Sequence, residues 1–270
     1  MLLRTFTSAI FSAFAAAHPV LADDSYSDVI DLEVRPGWTQ PDGTHIAALH
    51  LTLAPGWKTY WRAPGDAGIA PQFGWKGSRN IDNLSLIWPT PQVFDQNGLR
   101  SIGYKDQLVI PLQITPDSDG AGIRIKGNID LGICKDICIP QTLSFDHLID
   151  VISSEPDPVI AAAMASSPYS AGEAGVSSAS CTLNPIDGGL RISATIHMPH
   201  SGGTEYAVIE AGDPQIWASQ AETHRQGGQL TASSDLIHVN QSSFALDRSA
   251  VRITVLGQQH AVDIRGCAPG

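Results

Sequence analysis

From Val29 to about Ile152 the chain is written in short β-rich runs cut by Gly and Pro clusters, and this punctuation constrains the fold more than any other feature. The run from His45 to Leu53 partly alternates polar with apolar residues, and Leu108 to Ile114 is rich in strand formers. Ile123, Ile125, Ile129 and Leu131 keep a period of two across Gly127. Alternation places one set of side chains on one face of a sheet, and that face needs a second layer to bury it. An all-β sandwich is the predicted architecture. Pro111 lacks an N–H for the ladder, so its run is expected at an edge or a bulge.

Residues 153–180 change character. Ser153 to Pro158 can open a short helix running from Val159 to Ala165, and the Ser, Ala and Gly-rich stretch up to Ser180 reads as a linker. A second β unit follows, with strand-like runs at Leu190–Ile196, Tyr206–Ile209, Val251–Val255 and Ala261–Ile264. The first domain is thus expected over 23–152, the linker over 153–180, and a second, smaller β-sandwich-like domain over 181–270. No clear repeat relates the two halves.

Residues 1–22 read as a secretory signal, with Arg4 as the charge of its first region, an apolar run from Ile10 to Ala17, and cleavage after about Ala22. The formal charge is −11, and loss of Arg4 makes it one unit more negative, which argues against nucleic acid or anionic lipid as partners. After residue 22 no stretch approaches the roughly 18 consecutive apolar residues of a membrane helix, so direct membrane insertion is not expected. The protein is read as exported, where cysteines pair.

Four cysteines permit two bridges. Bonding Cys181 to Cys267, at the two ends of the second unit, would close a loop worth about 4.6 kcal/mol in the chain-entropy model. Bonding Cys134 to Cys138 would close a loop worth only about 2 kcal/mol. The long bridge therefore reads as a structural staple and the short one as a poor staple. A fully extended strand would hold residues 134 and 138 about 13 Å apart, so the chain must turn between them if they bond. So tight a bridge is expected to be strained, which favours a labile role. Three readings fit the pair: a structural disulfide, half of a metal site with only His147 nearby in sequence, or thiol–disulfide exchange. Lys135 would lower a thiol pKa and Asp136 would oppose it.

Aromatic residues supply the second cluster. Trp57, Tyr60 and Trp61, set among Gly and Pro, either fill a core under a long loop or wall a reactive site. Phe94 lies in a stretch from Trp88 to Gly98 that reads as a loop, where a phenyl ring can plug a core or shield a thiol. The histidines are scattered, His197 with His200 is a weak metal pair, and neither a nucleophile elbow nor a phosphate-binding glycine loop is present. No metal and no cofactor is expected.

These residues also occur in a familiar order. Trp61-Arg62-Ala63-Pro64-Gly65-Asp66, then Trp88-Pro89, Phe94 to Gly98, Gly103-Tyr104-Lys105-Asp106 leading into Leu108 to Leu112, and finally Cys134 to Pro140 resemble the N-terminal periplasmic domain of the thiol:disulfide interchange protein DsbD and of its suppressor-of-copper-sensitivity (ScsB) relatives. The resemblance covers roughly residues 28–152, with a tighter cysteine spacing than is usual in that group. It implies an immunoglobulin-like sandwich whose redox pair, Cys134 and Cys138, lies beneath a cap loop. Phe94 would be the capping aromatic, with Asp95 and Gly98 in the same loop. It further implies that Cys138 forms the mixed disulfide and Cys134 resolves it.

The expected function is therefore periplasmic relay of electrons from a membrane electron-transfer protein to oxidised, thioredoxin-like or other exported proteins. Donor and acceptor would be separate chains. Two other functions stay open: a non-catalytic sandwich module with structural disulfides, and a copper-tolerance accessory protein suggested by the relatives.

Overall fold

The computed structural model describes residues 27–96, 99–118, 120–150 and 153–270. The expected signal segment with its cleavage at Ala22, and Gly98 of the expected cap, lie outside these residues. The first half begins with β1 (Ile30–Thr39), β2 (His45–Leu53), β3 (Lys58–Tyr60), β4 (Gln72–Gly74) and β5 (Asn83–Leu86). It continues with β6 (Gln92–Gln96), β7 (Leu99–Lys105), β8 (Gln107–Thr115), β9 (Ile123–Cys134) and β10 (Cys138–Ile149). They form one sheet in the order β1-β2-β8-β5 and another in the order β10-β9-β3-β7-β6, with β4 also paired to β9.

The two sheets share one core. Ala47, Leu49 and Leu51 of β2, Leu108, Ile110 and Leu112 of β8, and Ile125, Ile129, Leu131 and Ile133 of β9 are all buried in it. The period of two read along residues 123–131 is thus the inward face of β9, and the sandwich expected from the sequence is observed.

Strand β2 alternates only in part because both of its faces are covered. Ile46 and Ala48 point away from the sandwich core and form a second apolar cluster with Trp38, Val109, Ile160 and Ala163. The last two belong to α1 (Pro158–Ala165), whose first turn follows the helix-start pattern: Asp157 caps it, accepting from Val159 N at 2.8 Å and Ile160 N at 3.1 Å, and Pro158 needs no amide partner there. Arg35 of β1 donates to the same carboxylate at 3.1 and 2.8 Å, tying the cap to the sheet that the helix covers.

Pro111 departs from expectation. Strand β8 is internal, paired with β2 and β5, and its register with β2 runs unbroken through the Ala48–Pro111 pair. The proline is tolerated because the ladder with β5 ends at the Leu86–Leu112 pair. Its carbonyl still accepts from Ile87 N at 2.9 Å, so the missing donor falls where the neighbouring strand has already stopped.

The second half contains β11 (Tyr169–Ser170), β12 (Ser178–Ile186), β13 (Gly189–His197), β14 (Tyr206–Glu210) and β15 (Ile216–Ala218). Then come β16 (Glu222–Gln226), β17 (Gln229–His238), β18 (Arg252–Leu256), β19 (Ala261–Arg265) and β20 (Ala268–Pro269). One sheet runs β11-β19-β18-β14, the other β15-β17-β13-β12-β20 with β16 on β17. Their shared core includes Ile192, Ile196, Leu230, Leu236, Ile253 and Val262. Cys181 of β12 is bonded to Cys267, with Cα atoms 5.7 Å apart, and sits wholly inside that core. The halves also touch: Leu256 and Ala261 join the core of the first sandwich, with Tyr206 and Val208 packed against it.

Candidate redox site

Strands β9 and β10 are the arms of a hairpin whose tip carries the short cysteine pair. Cys134 ends one strand, Cys138 begins the next, and the two are register partners joined by a disulfide with Cα atoms 4.2 Å apart. The turn required by their spacing is residues 135–137, closed by Lys135 N donating to Ile137 O at 3.2 Å. The two cysteines differ sharply in access. Cys134 is 1 % exposed, whereas Lys135, Asp136, Ile137 and Cys138 are all exposed.

Strand β3 lies beside β9 and brings two side chains to the same face. Lys58 is the register partner of Cys134, and Tyr60, two residues on, points the same way. The Tyr60 hydroxyl lies 2.7 Å from Cys134 Sγ and 3.3 Å from Cys138 Sγ, with the Ala67 carbonyl 3.4 Å away. A disulfide sulfur has no hydrogen, so the tyrosine donates. Burial raises the Tyr60 hydroxyl above its ordinary pKa, which keeps that donor protonated through neutral pH.

Gly132 makes room for this ring. It lies on the cysteine face of β9, and a Cβ there would stand 2.9 Å from Ile69 and 3.1 Å from Tyr60 Cε2. Gly68 closes the other side: a Cβ on it would lie 2.9 Å from Tyr60 Cδ1. The tyrosine is thus held between the hairpin and the 61–71 segment.

Lys58 is 8 % exposed, and burial lowers its ammonium below the ordinary lysine value. Its Nζ donates to Ser101 Oγ at 3.1 Å and stands 4.9 Å from the centre of the Phe94 ring. Phe94 itself is on β6, paired with Ser101 of β7, rather than in a loop. The stretch from Trp88 to Gly98 misleads because its Pro and Asn residues flank a strand, and Gln92 to Gln96 then pair with β7. Asp95 is exposed on the same strand, with an oxygen 3.6 Å from Arg100 Nε.

The expected aromatic surround is divided between the two faces. Trp57 and Trp61 flank β3 at odd positions and pack in the sandwich core, with Trp61 wholly buried, while even-numbered Tyr60 meets the sulfurs. Alternation separates neighbours that look like one cluster in the sequence. Lys58, Ser101, Gly132 and Ile69 were not picked out from the sequence. The signal available for Lys58 was its two-residue offset from Tyr60.

The model of the family described as "Thiol:disulfide interchange protein DsbD, N-terminal" matches residues 29–149. The crystal structure of the N-terminal periplasmic domain of ScsB from Proteus mirabilis shares the fold, with a TM-score of 0.66 and 22 % sequence identity. That likeness covers 90 % of this chain and 95 % of the other, so it extends beyond residue 149 into the second β unit. No curated protein matches the chain.

Proposed function

Since residues 29–149 belong to the family of DsbD N-terminal domains, we propose that this thiol–disulfide exchange protein works in the periplasm, taking electrons from a membrane electron-transfer protein and passing them to oxidised exported proteins. The observation that carries this reading is the asymmetry of the pair: Cys138 is exposed, while Cys134 is buried under the Tyr60 hydroxyl.

The chemistry follows from that asymmetry. A donor thiolate attacks Cys138 Sγ, the Cys134–Cys138 bond breaks, and Cys134 leaves with the electron pair as a thiolate. The hydroxyl 2.7 Å away donates to the departing sulfur and stabilises its charge, which favours it as a leaving group. The donor's second thiol then releases Cys138, completing a two-electron transfer. In the outward step the Cys138 thiolate attacks a disulfide of the acceptor, and Cys134 attacks Cys138 Sγ to restore the bond and free the reduced acceptor. No cofactor is required.

Phe94, held against Lys58, is the capping aromatic of this reading, with Asp95 beside it on the same strand. The Cys181–Cys267 bridge is the staple of the second β unit. The structurally similar ScsB region is a periplasmic domain; in this reading the signal segment at 1–22 would deliver the chain to the periplasm, a compartment that favours disulfides.

Trapping tests the reading. A Cys134→Ser protein is expected to accumulate mixed disulfides through Cys138 in the exported compartment, identified by mass spectrometry, while Cys138→Ser accumulates none. Absence of adducts in both, together with a pair that stays oxidised against a thioredoxin-like donor, would sink it in favour of a sandwich module with two structural bridges.

A further inference from the structure

The second β unit is physically attached to the segment that holds Tyr60 against the sulfurs. That segment, residues 61–71, leaves β3 and runs beside β7, where Trp61 N donates to Ile102 O at 3.0 Å and Ile102 N to Pro64 O at 2.8 Å. Its other side is fixed from the second half. Arg62 donates to both oxygens of Glu210 at 3.0 and 2.9 Å and to Thr254 Oγ1 at 3.2 Å, while its guanidinium stacks on the Trp61 ring at 3.9 Å. Asp66 accepts from Gln220 N at 3.1 Å.

Between these ties and the second half lies a groove of about 610 Å³, lined by Ala63, Pro64, Gly65 and Gly68 on one side and by residues of β14 and β15 on the other. Apolar contacts of Leu256, Ala261, Tyr206 and Val208 with the first sandwich also join the halves, and at the 61–71 segment itself Arg62 and Asp66 add polar ties beside the groove. Immediately after them come Ala67, whose carbonyl faces the Tyr60 hydroxyl, Gly68, which abuts the Tyr60 ring, and Ile69, which lies over Gly132.

We propose that the second β unit is part of the redox site: through Arg62–Glu210 and Asp66–Gln220 it positions the 61–71 segment, and thereby the Tyr60 hydroxyl on Cys134. Glu210 is a positioning residue in this scheme, as it touches neither sulfur. The bidentate geometry suits the task, since a planar guanidinium gripped at two oxygens fixes orientation as well as distance. Loosening the grip frees the tyrosine, and Cys134 then departs without its hydrogen-bond donor. The inference deepens the exchange reaction proposed above and rests on it.

The experiment is a kinetic cycle on the full chain, following reduction of the Cys134–Cys138 bond by dithiothreitol. Glu210→Gln keeps the side-chain shape, and Asp66→Ala alters an exposed residue, so both are expected to fold. Each is expected to slow reduction about threefold or more where Tyr60 is present, and to have no further effect in a Tyr60→Phe background. Asp235→Asn, which cuts the exposed Arg191–Asp235 pair at 2.7 Å elsewhere in the second half, is expected to leave the rate unchanged. Unchanged rates for Glu210→Gln and Asp66→Ala, equal slowing with and without Tyr60, or equal slowing by Asp235→Asn would each overturn the proposal. These rates use a small thiol, so they stand apart from the partner-trapping test of the exchange function.

Discussion

Tyr60 is buried, which raises its hydroxyl above the ordinary pKa, and it lies close enough to both sulfurs to donate a hydrogen bond. Tyr60→Phe is expected to slow dithiothreitol reduction about three- to tenfold, matching a hydrogen bond worth roughly 0.5–1.5 kcal/mol. Stopped-flow or gel-shift kinetics will measure it, and an unchanged rate would remove Tyr60 from the chemistry. A second tyrosine gives a stability prediction. Tyr104 donates to Pro89 O at 2.8 Å, and burial raises its hydroxyl well above the ordinary value of 10.0. The unfolded chain loses that proton near pH 10 while the folded chain keeps it, so the contribution is full below pH 10 and declines as pH rises beyond it. Urea melts between neutral pH and pH 11 are expected to show a shallower alkaline decline for Tyr104→Phe than for the parent. At this scale the sequence was informative for the cysteines, whose spacing alone separates a tight loop from a long one. It was less so for Trp57, Tyr60 and Trp61, because three nearby aromatics look alike until alternation assigns them to faces.

Two elements carry the site, the β9–β10 hairpin and the short strand β3. Their register places Lys58 opposite Cys134 and lets the Tyr60 ring lie over Gly132. Gly132→Ala is therefore expected to push Tyr60 or Ile69 aside and slow exchange by about as much as Tyr60→Phe does, while leaving the strands intact. Reduction kinetics with a far-ultraviolet spectrum checks both parts. On the opposite sheet, Asp157→Ala removes the cap of α1 and the partner of Arg35, and is expected to cost about 1–2 kcal/mol in a denaturant melt. Burial opposes ionisation of Asp157, but the hydrogen bonds from Arg35, Ile160 N and Val159 N outweigh it and hold the carboxyl below its ordinary value of 3.8. Its contribution is thus present above about pH 4 and lost as pH falls below, so the variant and the parent converge in acid. The helix was legible from Asp157-Pro158 and the apolar run after it. The strand character of Phe94 was not, because pairing with β7 supplies what the Pro and Asn neighbours seem to deny.

Across the whole molecule, the two bridges differ in loop length and in burial. The Cys181–Cys267 bond spans 86 residues and lies in the core of the second half, whereas the Cys134–Cys138 bond spans 4 and ends at the surface. Cys181→Ser is expected to lower stability by about 4–5 kcal/mol and Cys134→Ser by about 2 kcal/mol, on chain entropy alone. Equilibrium urea unfolding will rank them, and a reversed order would contradict the chain-entropy argument. The sequence by itself determined the sandwich, the turn between Cys134 and Cys138, the short helix, and which pair could serve as a staple. Those properties follow from local periodicity, capping and loop length, all of which are written along the chain. Only the tertiary structure decided that Tyr60 rather than Trp57 or Trp61 meets the sulfurs, that Pro111 lies in an internal strand, and that Arg62 is held by Glu210. Each depends on which strand lies beside which and in what register, and residues 148 positions apart carry no local sign that they will meet.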